Sequence, residues 1–314
     1  MKKFLIISIV IMVALILKNW QHKIYSNFYN NISSDDIIKF YLNDEIREYL
    51  LHIPKNIQPY APLVFVLHGL GSTNSFIKGF SQMDNVADKN GFVVCYPQGT
   101  RTSENTAFTK KGTSFWNVGY DIHENETVDD LSFIKSLAIF LQKEYDLDPE
   151  KTFVTGMSNG GDMSYLLGCE ASNIFKAIAP ITGCMMLWIY ESCIKNDPVP
   201  VFHVHGTKDS VTYYNGDVEN KYKWGAYVSV ESSIKFWTDR NQCTVSSLDT
   251  LLDIDKTDGS YIIREKHLDG INKNEVWFYK IINGGHEWPM YRAKHFGNRD
   301  INTSEEIWNF FSEI

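Results

Sequence analysis

Short apolar runs recur along the chain, and most are followed by a longer stretch whose apolar residues return every three or four positions. The runs are Pro62–Leu67 (PLVFVL), Phe92–Tyr96 (FVVCY), Lys151–Thr155, Lys176–Ile181, Val199–Val204 and Val276–Ile282 (VWFYKII). A continuous apolar run of this length is what a strand needs when both faces of its sheet are covered. The helical period falls on Phe76–Lys89, Val128–Tyr145, Gly160–Cys169, Val228–Arg240 and Thr303–Phe311. Acids open the second of these, and Asn302 or Thr303 is the expected N-cap of the last. Ile38–Leu42 and Glu48–Ile53 predict a hairpin around Asn43-Asp44, and Ser246–Leu268 predicts extra strands or an insertion. Buried strands alternating with helices predict the α/β class: a doubly wound, mostly parallel sheet with helices on both faces.

The head of the chain departs from this rhythm. Lys2-Lys3 precede the apolar run Phe4–Leu17 (FLIISIVIMVALIL), and Lys18 closes it. The run falls short of the roughly 20 residues that span a bilayer and matches the apolar core of an export signal. Lys18-Asn19-Trp20-Gln21-His22-Lys23 offers no small-x-small cleavage site, so an uncleaved anchor competes with a cleaved signal. Residues 1–20 are therefore read as a signal peptide or N-terminal membrane anchor, and residues 35–314 as the folded α/β domain. The protein is expected to be exported, to the periplasm or beyond, and to meet a membrane only through residues 4–17.

Composition narrows the partners. Hydrophobic residues at 44% and charged residues at 22% exclude a disordered or fibrous chain. Lysine plus arginine number 30 against 38 acids, a net charge of −8, which lacks the basic footprint of a nucleic-acid binder. The five cysteines show no metal-ligand spacing, so no metal site is expected. Cys95 sits in an apolar strand and reads as a core residue, while Cys169, Cys184 and Cys193 are close enough in sequence for one disulfide among them.

The chemistry gathers on three loops. Gly156-Met157-Ser158-Asn159-Gly160 stands directly between a strand and a helix, the context of a nucleophile elbow. Ser158 needs a base, and the base an orienting acid, which in this architecture follow on loops after later strands. Asp209 lies just past the strand ending at Val204, and His286 just past the strand ending at Ile282, flanked by Gly284-Gly285. Asp217 is the reserve acid. His52, His68, His203 and His205 lie in or beside strands and are expected to be structural. For the oxyanion, Asn159 N–H is one expected donor. Leu70 N–H, in the loop His68-Gly69-Leu70-Gly71-Ser72, is the other, with Gly71 N–H the second choice. The Gly-x-Gly in that loop has neither the third glycine nor the lysine of a phosphate site.

Eight segments extend the pattern: LHGLGS (67–72), YPQG (96–99), FWN (115–117), VDDLSFI (128–134), GMSNGGDMSY (156–165), PVPVFHVHGTKD (198–209), GGHEWP (284–289) and IWNFF (307–311). Together and in this order they resemble the secreted α/β-hydrolase esterases grouped as feruloyl esterases and polyhydroxybutyrate depolymerase-like proteins. The resemblance implies Ser158, Asp209 and His286 as the triad, a structural role for Asp129-Asp130, and no cofactor. It also implies a small-molecule or polymer-linked ester as substrate, of a feruloyl type or a short hydroxy acid. Trp116, Trp288 and Tyr213 are then the expected aromatic walls for a planar acyl group. The chain departs from the family at Gln98, where Asp is usual, at Met290, where Gly often stands, and at Cys243, which lacks a later cysteine as partner. Two rivals fit the same residues: an exported serine peptidase on the same fold, and an inert binding module, against which the ordered Ser, Asp, His set argues.

Overall fold

A computed structural model describes residues 36–43, 45–106, 108–193, 197–291 and 297–314, so the predicted signal or anchor segment lies outside the described residues. The strands are β1 (Ile38–Leu42), β2 (Glu45–His52), β3 (Leu63–Leu67), β4 (Val93–Pro97), β5 (Thr100–Arg101), β6 (Ser114–Phe115), β7 (Thr152–Met157), β8 (Ala177–Ile181), β9 (Val201–Gly206), β10 (Val245–Thr250), β11 (Tyr261–Leu268) and β12 (Val276–Ile282). The helices are α1 (Asn74–Ser81), α2 (Met83–Asn90), α3 (Asp130–Glu144), α4 (Asn159–Glu170), α5 (Leu187–Ser192), α6 (Val230–Arg240) and α7 (Thr303–Phe311).

One large sheet runs in the order β1-β2-β4-β3-β7-β8-β9-β12-β11-β10. The six central strands from β4 to β12 are parallel, and antiparallel hairpins extend both edges. All five residues of β3 are buried, and they divide by pleat between two cores. Leu63, Phe65 and Leu67 join Phe133 and Leu137 of α3, Met163 of α4 and Trp237 of α6. Val64 and Val66 join Ile77 of α1, Val86 of α2 and Phe310 of α7 on the opposite face. The period-2 alternation of a strand thus feeds helices on both sides. This is the doubly wound α/β-hydrolase arrangement. The obscure segment 246–268 forms the β10/β11 hairpin on the far edge.

The stretch 76–89 is not one helix but two. Gln82 takes φ 53° and its N–H returns to Lys78 O, ending α1. At 3.6 residues per turn, Val86 would stand about half a turn away from Ile77 on a straight helix, facing solvent. The break brings both onto the sheet. The disulfide forms between Cys169, at the end of α4, and Cys193, just after α5. Cys95, Cys184 and Cys243 are free, with Cys95 in the core as expected.

Candidate active site

β7 ends one residue before Ser158, and α4 begins one residue after it. Ser158 holds φ 57° and ψ −125°, a region disfavoured for a residue with a side chain. Its N–H donates to Ile181 O at 2.9 Å on the neighbouring strand, which pins the turn. A Cβ on Gly156 would lie 2.4 Å from Gly160 O, and one on Gly160 would lie 2.4 Å from Leu67 O. Side chains two residues either side of Ser158 therefore cannot coexist with this turn.

β9 and β12 are neighbours, and the loops that leave them touch backbone to backbone. Thr207 N–H donates to Ile281 O and Lys208 N–H to Gly284 O, at 2.9 and 2.8 Å. These contacts bring Asp209 Oδ2 to 2.8 Å from His286 Nδ1. Asp209 Oδ1 accepts N–H groups from Val211 and Thr212 at 2.8 Å each. Burial pushes the Asp209 carboxyl up, but hydrogen bonds from His205 and His286 outweigh it and hold the group well below the usual carboxylate range. An ionised Asp209 fixes the proton on His286 Nδ1 and leaves Nε2 as the accepting nitrogen. Glu287 anchors the same loop, accepting Gly285 N–H at 2.9 Å and Asn298 N–H. Asp217, the reserve acid, accepts Lys221 and Tyr222 N–H instead and touches no histidine among the described residues.

In the 68–72 loop, Gly71 N–H is already committed to Ser114 O at 2.7 Å, and Ser72 N–H to Gly69 O at 3.1 Å. Leu70 N–H and Asn159 N–H meet no acceptor among the described residues. His68 braces the loop, as its Nδ1–H donates to Gly69 O at 2.8 Å while Nε2 accepts Gly99 N–H at 2.9 Å. Burial drives its pKa down to about 4, so the ring stays neutral and can accept. Gln98 donates to the same Nε2 at 3.0 Å and accepts Asn74 N–H at 3.1 Å. Asp129 caps α3 through Ser132 N–H, and Asp130 pairs with Arg47 and accepts Asn117 N–H, both structural tasks.

The expected aromatic walls need correction. Trp116 is fully buried, its indole N–H donating to His68 O at 2.9 Å, while its own backbone is clasped by the Asn159 side chain. Trp288 is 3% exposed in the second core, bonded to Ser304 Oγ. Each ring follows its N–H to a buried acceptor and is lost to the cleft. Tyr213 is half-buried and stacks on Tyr222 at 4.4 Å. Two aromatics escaped the sequence reading. Trp188 lies 42% exposed across Gly119, where a Cβ would fall 2.7 Å from its Nε1. Trp224 stands edge-on to Tyr120 at 4.9 Å. Also unforeseen is Asp162, one turn after Ser158, buried with Tyr120 O–H and Cys184 N–H on its oxygens. Desolvation pushes this carboxyl up to about 7. Only the DM of GMSNGGDMSY signalled it.

A family model described as Esterase PHB depolymerase matches residues 48–221, more than half of the chain. The chain belongs to the esterase PHB depolymerase family. The matched stretch holds Ser158 and Asp209 and ends before His286. Among curated relatives of this esterase-family chain, a bifunctional acetylxylan esterase/xylanase of Neocallimastix patriciarum is 29% identical over 168 residues, 54% of this chain and 22% of that protein. Feruloyl esterase B of Piromyces equi is 26% identical over 59% of this chain and 33% of its own. A probable feruloyl esterase C of Aspergillus clavatus is 31% identical over 55% and 58%. The chain thus spans less than two thirds of each of these proteins. An acetyl xylan esterase structure from Aspergillus awamori superposes with a TM-score of 0.58 at 14% identity, covering 89% of this chain and all of that one. That likeness speaks for the fold alone.

Proposed function

We propose that this chain is an exported serine carboxylic-ester hydrolase that works through an acyl-enzyme on feruloyl-type or short hydroxyacyl esters. The observation that carries it is the 2.8 Å Asp209–His286 pair at the edge of the sheet where Ser158 stands on its strained turn. Ser158 Oγ attacks the ester carbonyl while His286 Nε2 takes its proton, and Asp209 stabilises the imidazolium. The Leu70 and Asn159 amides receive the oxyanion. His286 returns the proton to the leaving alcohol, and water releases the acid by the reverse sequence. The steps require no cofactor. Residues 35–314 are the catalytic domain in this reading, with residues 1–20 as signal or anchor.

Hydroxycinnamoyl esters are the favoured substrates. The feruloyl esterases among the relatives support that choice, as do the part-exposed rings of Trp188, Tyr213 and Tyr222, suited to stacking on a planar acyl group. Ser158→Ala should abolish turnover of a short p-nitrophenyl ester, and a fluorophosphonate should label Ser158; retained turnover rejects the mechanism. Methyl ferulate, acetylated xylan and hydroxybutyrate oligomers compared side by side address the acyl group. A tenfold higher kcat/KM on hydroxybutyrate, about 1.4 kcal/mol of transition-state preference, rejects the aromatic choice. N-terminal sequencing of the product from its own host tests export: a start between residues 21 and 34 means a cleaved signal, and a purely cytosolic pool rejects export.

A further inference from the structure

The acid of the proposed triad has a second histidine behind it. His205, fully buried on β9, brings Nε2 to 3.3 Å from Asp209 Oδ2, the same oxygen that His286 reaches from the open side at 2.8 Å. His205 Nε2 also lies 2.9 Å from Thr212 O, a carbonyl that can only accept. The proton is therefore on Nε2, shared between that carbonyl and the carboxylate. Nδ1 of His205 is then the acceptor for His203 Nε2 at 3.2 Å, and His203 Nδ1 in turn lies 3.0 Å from the Tyr165 hydroxyl. Tyr165, His203, His205 and Asp209 form one line of hydrogen bonds through the protein interior, each ring wholly buried.

Such an arrangement is more than core filling. A buried histidine is ordinarily satisfied by backbone groups alone, whereas here the Nε2 that reaches Thr212 O at 2.9 Å also stands 3.3 Å from the carboxylate that orients the base. Asp209 Oδ1 is held by two amides, so His205 supplies the remaining buried-side contact and limits the rotation of Oδ2. We propose that His205 is a positioning residue for the triad, fixing Asp209 from the buried side so that His286 is presented to Ser158 in one orientation. No proton needs to move along the line. The proposal rests on the esterase reading. Among the described residues, Cys184, Tyr213 and Glu287 lie within electrostatic reach of Asp209 and Asp162 faces His286, while His205 itself is faced by His203 and Tyr214.

The test compares His205→Leu, which lacks both ring nitrogens, with His205→Gln, whose amide N–H can reach the same oxygen. With a p-nitrophenyl ester, His205→Leu should lower kcat roughly tenfold to a hundredfold with KM nearly unchanged, the cost of a misplaced group. Its kcat/KM acid limb should move to higher pH, because Asp209 loses a donor to its anionic form. His205→Gln should recover most of the rate and return the limb. A merely structural histidine would lower the folded fraction and leave the limb in place. A folded His205→Leu with unaltered kcat and limb overturns the proposal while Ser158→Ala, inactive in the same assay, keeps the esterase reading. Turnover by Ser158→Ala would instead overturn that reading. Should His205→Leu fail to fold, nitrogen-15 NMR of histidine-labelled unmodified protein decides. A protonated His205 Nε2 that shifts in Asp209→Asn is expected, and an unprotonated or unmoved Nε2 overturns the proposal.

Discussion

Ser158 occupies a backbone region that costs of order 1–3 kcal/mol for a residue bearing a Cβ, and the packing around it supplies the compensation. Replacing it separates the strain from the hydroxyl. Ser158→Gly should be more stable than Ser158→Ala by about 1 kcal/mol, since glycine relieves the strain but loses more chain entropy; urea denaturation reads the difference, and an equal or lower stability would mean the turn is unstrained. Gly160 shows the opposite case. A Cβ there meets two backbone carbonyls, Leu67 O at 2.4 Å and His68 O at 2.7 Å, neither of which can swing aside. Gly160→Ala should cost about 3 kcal/mol or be insoluble, and the fluorophosphonate should label any soluble product more slowly than the parent.

At the level of elements, the hydrophobic pattern found the central parallel strands but missed β5, β6 and α5, and not every helix boundary was right. The break at Gln82 arises because Ile77 and Val86 must both reach the sheet, a demand that neither half of the stretch announces by itself. The exposed Gln82 side chain makes no hydrogen bond among the described residues, so Gln82→Gly should raise stability by about 1 kcal/mol through the left-handed backbone alone. A lower melting temperature would refute that account. The Cys169–Cys193 link closes a loop across a sequence separation of 24 and ties the end of α4 to the segment after α5. Cys169→Ser with Cys193→Ser should lose about 3 kcal/mol of stability, seen as a lower midpoint that reductant no longer changes.

Across the whole molecule, buried titratable groups set the acid response. Burial is the main cause that drives His68 and His123 each down to about 4 from 6.5. Between those values the unfolded chain binds more protons, so these groups stabilise the fold above pH 6.5, and that contribution is lost as pH falls toward 4. Asp162, pushed up to about 7 from 3.8, acts in the other sense: the folded chain keeps its proton, and that contribution is lost as pH rises toward 7. The net slope mixes both, so a variant is needed to isolate one. In His68→Gln the loss of stability on acidification from pH 6.5 to 4 should be shallower by about 1.4 kcal/mol per pH unit. Parallel curves for variant and parent would mean that His68 titrates normally in the fold.

The parallel strands, the elbow, and the placing of Asp209 and His286 after their strands were legible in the sequence. Each depends on contiguous residues: a run buried on both faces, glycines flanking a serine, a loop at a strand's end. The sequence preferred Asp209 and kept Asp217 in reserve; only the tertiary structure supplies the contact between the β9 and β12 loops that sets Asp209 beside His286. Leu70 was likewise preferred to Gly71 from the loop alone, and the structure adds the physical reason, since Ser114 O arrives from a segment some forty residues away to occupy Gly71 N–H. Two of the three expected aromatic walls are buried instead. Trp116 and Trp288 stand near the right residues in sequence, but their indole N–H groups find buried acceptors, His68 O and Ser304 Oγ, that are neighbours only in the folded chain. The line from Tyr165 through His203 and His205 to Asp209 is of the same kind. Alternation along β9 puts His203 and His205 on one face, but only the packed helix α4 and the Asp209 loop complete the contacts at either end.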